Sequence, residues 1–342
     1  MNNGSTQAVV LNNINAIPIG TLYQANGIGM SEGVCAAAAC TPFEVQAMSA
    51  TNVQGFRPFP EYQSITVPRH NTYSNYNAVQ AVWQKTSGRL NYGLNYTFSK
   101  ALGILGSAAN FNWTGAINPF SIPSNYGPMN FDHTHIFNAT YSYSVGKYSG
   151  NGALGALASN WLISGITSIQ SGGDMQTGIS ASPNFNLNGF ISAPGEPVLT
   201  VNSQVFLGTP DVSLQPVLTC NPRSGLGTHQ YLNGACFGLP QIGSNGQYIF
   251  PYAQAPTFFN TDLTIERGFS LGSDRNLRFR IAAFNFLNHA LNSFGTGYAQ
   301  QTNLSLNGTS ISSAAYSPSS GFGFAPYALG HRLLEVSAKF TF

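Results

Sequence analysis

Charge is what this sequence has least of. Only 7% of its 342 residues are Asp, Glu, Lys or Arg, against about a quarter in soluble domains, yet its mean hydropathy stays close to neutral. Long apolar runs are also missing. Without a stretch of about 18 apolar residues a spanning helix is excluded, and the remaining way to satisfy a backbone in lipid is a closed β-barrel. The formal net charge is +2 with no basic cluster, which argues against a nucleic-acid surface. Basic residues are absent from the start, the first being Arg57, so Met1 opens no export signal with a basic leading region. An exported barrel needs such an address, and the expectation is that the chain is the downstream part of a longer precursor or that its start is misplaced. Cysteine is scarce and falls in two local pairs, Cys35 with Cys40 and Cys220 with Cys236. Pairing of this kind suits an oxidising compartment and predicts disulfides, although spacing alone leaves the connectivity open.

What is present is alternation. The last ten residues read Leu-Leu-Glu-Val-Ser-Ala-Lys-Phe-Thr-Phe. Strand side chains alternate faces, so Leu334, Val336, Ala338, Phe340 and Phe342 share an apolar face. Glu335, Ser337, Lys339 and Thr341 share a polar one. The same pattern marks Val79, Ala81 and Trp83, then Leu90, Tyr92, Leu94, Tyr96 and Phe98 after the turn Thr86-Ser87-Gly88. It returns at Phe137 to Val145, Trp161 to Gln170, Phe258 to Arg267, Asn276 to about Phe286, and the end of the chain.

Residues 1–61 are the least readable part, with a short strand before Pro18 and a small loop closed by Cys35 and Cys40 as the expectations. Residues 62–342 are read as barrel strands, beginning with a weak strand from Tyr62 to Val67. Long segments at about 101–132, 172–255 and 289–327 interrupt them, and the second holds eight of the nineteen prolines. Connection lengths therefore run short, long, moderate, long, short, long. In outer-membrane barrels periplasmic turns are short and external loops long. Placing Phe342 in the periplasm puts every long segment outside. The fold class read here is all-β: an antiparallel transmembrane β-barrel, represented by about seven to ten strands at the C-terminal end of a larger one.

Several of these strands carry a family resemblance. Tyr76-Asn77-Ala78-Val79-Gln80 with Gln84-Lys85, and Asn95-Tyr96-Thr97-Phe98-Ser99-Lys100-Ala101, resemble the paired strands of Oar-like TonB-dependent receptors of the acidobacterial type. Tyr126-Gly127-Pro128, Phe131-Asp132-His133, Trp161-Leu162-Ile163-Ser164-Gly165, Gln170-Ser171-Gly172, Phe259-Asn260-Thr261-Asp262-Leu263 and Phe279-Arg280 with Ala283-Phe284-Asn285 follow in the family's order. The resemblance covers about residues 55–342. It implies an outer-membrane location, transport of an unidentified ligand, contact with outer-membrane lipid, and recognition of the C-terminal strand, Phe340 and Phe342 included, by the barrel-assembly machinery. It also implies coupling to TonB, but only through upstream parts. The family's plug, TonB box and first strands have no counterpart in this sequence, and its closed barrel has 22 strands.

Catalytic chemistry is not expected. Asp132, His133 and His135 form the best polar cluster, but no Cys or further carboxylate stands at metal-ligand spacing, and hydrogen bonding at a strand end is the preferred reading. No phosphate loop, nucleophile elbow or Cys-x-x-Cys occurs. The reading is thus a non-enzyme without cofactor or metal. Its alternatives are a surface adhesion or scaffold barrel that transports nothing, and a soluble carbohydrate-binding β-sandwich, which would pack the apolar faces into a shared core.

The scarce charges yield a register test. Asp262 and Glu266 share parity with Arg278 and Arg280, opposite to Leu263, Ile265, Leu277, Phe279 and Ile281, so the charges on these strands are expected to face the lumen with Glu335 and Lys339. A turn of this length makes opposed residue numbers sum to roughly 542 to 546. Asp262 then faces Arg280, Glu266 faces Arg278, or Glu266 faces Arg280, and at least one ion pair is expected.

Overall fold

The computed structural model describes residues 10–24, 40–48, 53–69, 73–104, 118–121, 123–129, 131–146, 159–173, 186–247, 253–272, 275–293 and 303–342. Seven long strands form its wall: β1 (Ser74–Lys85), β2 (Leu90–Ile104), β3 (His135–Val145), β4 (Trp161–Gln170), β5 (Phe258–Ser270), β6 (Asn276–Phe284) and β7 (Leu333–Thr341). They neighbour one another in chain order, every pair antiparallel, and the short strand Tyr126–Pro128 extends the sheet beside the end of β2. β2 runs on through Ala101–Ile104, four residues that alternation assigned to a loop. The early weak strand is shifted to Thr66–Arg69 and pairs with Val10–Asn13.

Cross-strand partners share a face, so the registers decide what each face carries. Trp83 opposes Leu94, Leu94 opposes Ala139, Tyr141 opposes Gly165, and Gly165 opposes Leu263. The row continues through Ala283 to Leu334, and two steps along Phe279 opposes Ala338. Trp83, Leu94, Tyr141, Leu263, Phe279 and Phe340 therefore all lie on one apolar face. They do not pack into a core: Trp83 keeps 65% of its surface and Phe340 50%. That exposure is what a lipid-facing surface requires and what a soluble sandwich forbids. Gly165 serves this face by being small. A Cβ there would stand 2.5 Å from Tyr141 Oη and 2.7 Å from the Asp262 carbonyl, so the tyrosine ring lies across the gap that the glycine leaves.

The opposite face carries Gln84, Asn91, Thr140, Ser142, Ser164, Thr264 and, among the charged residues, Asp262, Glu266, Arg278, Arg280, Glu335 and Lys339, and it is concave. One open cavity of about 590 Å³ is lined by residues from β1 through β6. A flat sheet encloses no space, so one cavity lined from six neighbouring strands, chiefly by residues of the polar face, means that the sheet is rolled with its polar side inward. It is not closed. β1 and β7 remain as edges, and both run from the long-loop side to the short-turn side. Parallel edges cannot close on each other in an antiparallel barrel, so closure takes an odd number of further strands.

The buried core lies elsewhere. The segment at 172–255 is not a plain loop: residues 186–247, with residues 303–327 and the described N-terminal residues, build a folded cap beyond the long-loop ends. Its core holds Phe206, Leu207, Leu232, Leu304, Leu306 and Phe322, all essentially inaccessible. Residues 186–188 pair in parallel with residues 303–305, joining the two loops. A second cluster gathers Ile17, Leu22, Val45 and Met48 around a short helix, α1 (Pro42–Ala47), and Gln204 of another short helix, α2 (Ser203–Leu207), donates to the Val45 carbonyl. Thr41 and Glu44 form a capping box on α1, and Asn202 caps α2. The segments are locked by Arg57, whose guanidinium donates to both oxygens of Asp211 at 2.7 and 3.1 Å and to the Asn15 carbonyl at 2.8 Å. These elements are too short to announce themselves by periodicity, which is why they read as loop.

Candidate functional site: the concave face of the wall

β5 and β6 supply the charged part of the site because their antiparallel pairing, from Leu263 with Ala283 to Ser270 with Asn276, keeps their even positions on the concave side. The observed sum of opposed residues is 546, which sets Glu266 directly across from Arg280. The ion pair nevertheless forms diagonally, with Arg278 Nε 3.2 Å from Glu266 Oε1. Arg278 is itself opposite Lys339 on β7, so turning toward Glu266 also relieves a cation pair across the strands. Arg280 is left facing the cavity, with no ion pair or hydrogen bond to its guanidinium among the described residues.

Asp262 does a different job. Its Oδ1 accepts the Asn285 backbone N–H at 2.8 Å and the Asn260 side-chain amide at 3.0 Å. Asn285 has a positive φ of 47°, and its amide Nδ2 donates to the His289 and Gly330 carbonyls. The carboxylate thus pins the chain where β6 turns into the long loop. Glu335 is opposite Ala282 and lies on the same concave face.

On β5 the convex face holds a charge that sequence parity overlooked. Arg267, an odd position on β5, points away from the lumen, against the expectation that the charges of these strands all face inward. Its guanidinium carbon lies 4.4 Å from the Phe269 ring centre and 5.3 Å from that of Trp161, and only 6% of the residue is exposed. Aromatic faces stabilise a cation, and the site is level with the short turns, where aromatic belts mark the edge of the hydrocarbon. An Arg one residue before Gly268, flanked by Trp161 and Phe269, was the available signal.

The remaining candidates separate cleanly. Cys220 and Cys236 are bridged, with a sequence separation of 16, inside the cap. Cys40 is buried, but Cys35, and with it the expected Cys35–Cys40 loop, lies outside the described residues. Asp132 is buried against the Lys100 ammonium at 2.8 Å and the Ala101 N–H at 2.7 Å. His133 Nδ1 contacts the Ser171 carbonyl, and His135 Nδ1 meets the Tyr96 hydroxyl at 2.8 Å. The cluster is thus spent on strand-end hydrogen bonds, and no group of potential metal ligands occurs among the described residues. Phe340 stacks on Phe342, the most exposed aromatic of the chain's end at 91%.

Missed altogether were Ile166 and Phe284, apolar side chains on the polar face that line the cavity beside Arg280. Strand parity places them there, but without the cavity nothing sets them apart from core residues.

The family model described as "Outer membrane beta barrel domain" matches residues 2–320. No curated protein and no solved structure matches the chain.

Proposed function

We propose, from the premise that this chain belongs to the outer membrane beta barrel domain family, that it forms part of the wall of a TonB-dependent receptor that carries a solute across the outer membrane. The observation that supports this reading is the rolled sheet itself: an apolar, exposed convex face, a polar concave face, and long connections all on one side. In this reading lipid covers Trp83, Val336 and their neighbours. The short turns and Phe342 lie in the periplasm, and the cap stands outside the cell. The resemblance of the strand motifs to those of Oar-like receptors is the ground for the TonB dependence, which in this reading acts through parts other than these strands. Phe340 and Phe342 are the residues offered to the barrel-assembly machinery, and the chain performs no catalysis.

Protease treatment of intact cells tests the orientation. Cleavage within residues 186–247, with an epitope placed after Phe342 protected until the outer membrane is permeabilised, is the expected result. Transport is tested by comparing uptake of candidate nutrients in cells with and without functional TonB. Uptake that is unaffected by both TonB loss and deletion of the chain removes the transport reading. A second reading, a surface adhesion barrel, draws on the folded, disulfide-bridged cap, and loss of attachment rather than of uptake on deleting the chain would favour it.

A further inference from the structure

Two features of the concave face have no structural duty, and they sit in the same cavity. Arg280 projects into it with Glu266 already engaged by Arg278. Ile166 and Phe284 line the same space while keeping 53% and 38% of their surface exposed. Apolar groups on a water-filled wall gain nothing from solvent and stabilise only what covers them. Their place is fixed by register: Ile166 opposes Asp262, two positions along β5 from Thr264, which opposes Ser164. On β6, Phe284 and Arg280 are four residues apart on one face, about 13 Å along the strand. The cavity is thus graded along its length, from a guanidinium, through the hydroxyls of Ser164 and Thr264, to an apolar end.

We propose that this trough binds a small amphiphilic anion: an aromatic or branched aliphatic body bearing one carboxylate or phosphate group. Arg280 holds the anionic group, the only unengaged guanidinium among the cavity-lining residues. A planar guanidinium takes a carboxylate or phosphate through two parallel hydrogen bonds. Ile166 and Phe284 cover the body of the ligand. Asp262, beside them, faces the apolar end and keeps the anionic group from binding in reverse. Arg278 is not part of the site, because its charge is balanced by Glu266. The inference rests on the concave face being the lumen of the receptor, and it supplies the class of solute that such a lumen selects.

The test is calorimetric titration of the purified full chain in detergent micelles, with benzoate, its neutral analogue benzamide, and inorganic phosphate as probes. Benzoate is expected to bind about tenfold more tightly than benzamide, as a charge-assisted hydrogen bond would give, and more tightly than phosphate. Arg280→Gln should abolish the preference for benzoate, whereas Arg278→Gln should preserve it. Ile166→Ser should weaken benzoate and benzamide alike. Retention of the Cys220–Cys236 bridge and of the β-sheet circular dichroism signal in each variant separates lost binding from lost folding. Equal binding of benzoate and benzamide, or a preference that survives Arg280→Gln, overturns the anion site. Phosphate binding as tightly as benzoate overturns its apolar half. Absence of the protein from outer-membrane fractions would instead refute the receptor reading, and leaves the titration result to stand by itself.

Discussion

Glu266 faces Arg280 across the β5–β6 pair, yet its carboxylate closes on Arg278, with 3.2 Å between Oε1 and Nε. The pair is open to water, Arg278 more than Glu266, so its worth is small, about 0 to 1 kcal/mol. Glu266→Gln should therefore change unfolding in urea by less than about 1 kcal/mol. It should also release a second guanidinium on the concave face. Raised benzoate affinity with unaltered stability is the expected pair of results, and a large stability loss would mean that the ion pair matters more than its exposure implies.

The two faces of the wall predict opposite tolerance of charge. Ile281 and Val336 oppose each other on the convex face, and Ile281→Arg there should cost about 2 to 4 kcal/mol if the position lies near the bilayer midplane. Ser337 opposes Arg280 on the concave face, and Ser337→Glu should be nearly neutral. Unfolding from lipid vesicles, wild type against each variant, gives the comparison. Equal costs would sink the assignment of faces.

In the cap, Arg57 and Asp211 are both close to fully buried, and Asp211 also accepts the Ile17 N–H at 2.8 Å. Removing one partner of a buried pair leaves the other charge unbalanced, at a cost of about 3 to 5 kcal/mol. Asp211→Ala should expose the N-terminal segment to limited proteolysis while the wall strands stay protected.

The Cys220–Cys236 bridge closes a loop of about 15 residues, which the chain-entropy account values at about 3 kcal/mol. Replacing both with serine should lower the cap's unfolding midpoint and leave the protection of the wall strands from limited proteolysis unchanged. A cap as stable without the bridge would show that its apolar core alone suffices.

A pH effect is expected at α1. The Thr41 backbone N–H and hydroxyl hold the Glu44 carboxyl below its ordinary value of about 4.5. A depressed carboxylate stabilises the fold above the unfolded pKa, and that contribution is lost as pH falls through the folded one. Protection of the Thr41 and Glu44 amides from hydrogen exchange should therefore fall below about pH 4.5, and Glu44→Gln should flatten the profile. Burial pushes the Tyr23 hydroxyl far above its usual range, so this tyrosine should stay protonated in alkali that ionises exposed ones.

The sequence by itself settled the wall. Strand side chains repeat every two residues, so the parity of Trp83, Tyr141, Leu263 or Phe340 is a local property, and burying a whole face against lipid writes that parity plainly. The lumenal placement of Asp262, Glu266, Arg278 and Arg280 was legible for the same reason. Arg267 broke the rule because aromatic rings and a position near the turns make a cation tolerable there, and that depends on Trp161 from the neighbouring strand as well as on Phe269 from its own. Only the tertiary structure decided the rest. The register of β5 and β6 selected Arg280 as the cavity's guanidinium, although two neighbouring registers were equally compatible with the turn. The rolling of the sheet brought Gln84 and Phe284 to one space. The cap joins Arg57 to Asp211 across 154 residues, and its short elements carry no period. Contacts of that range are chosen by the shape of a whole core rather than by any pattern along the chain.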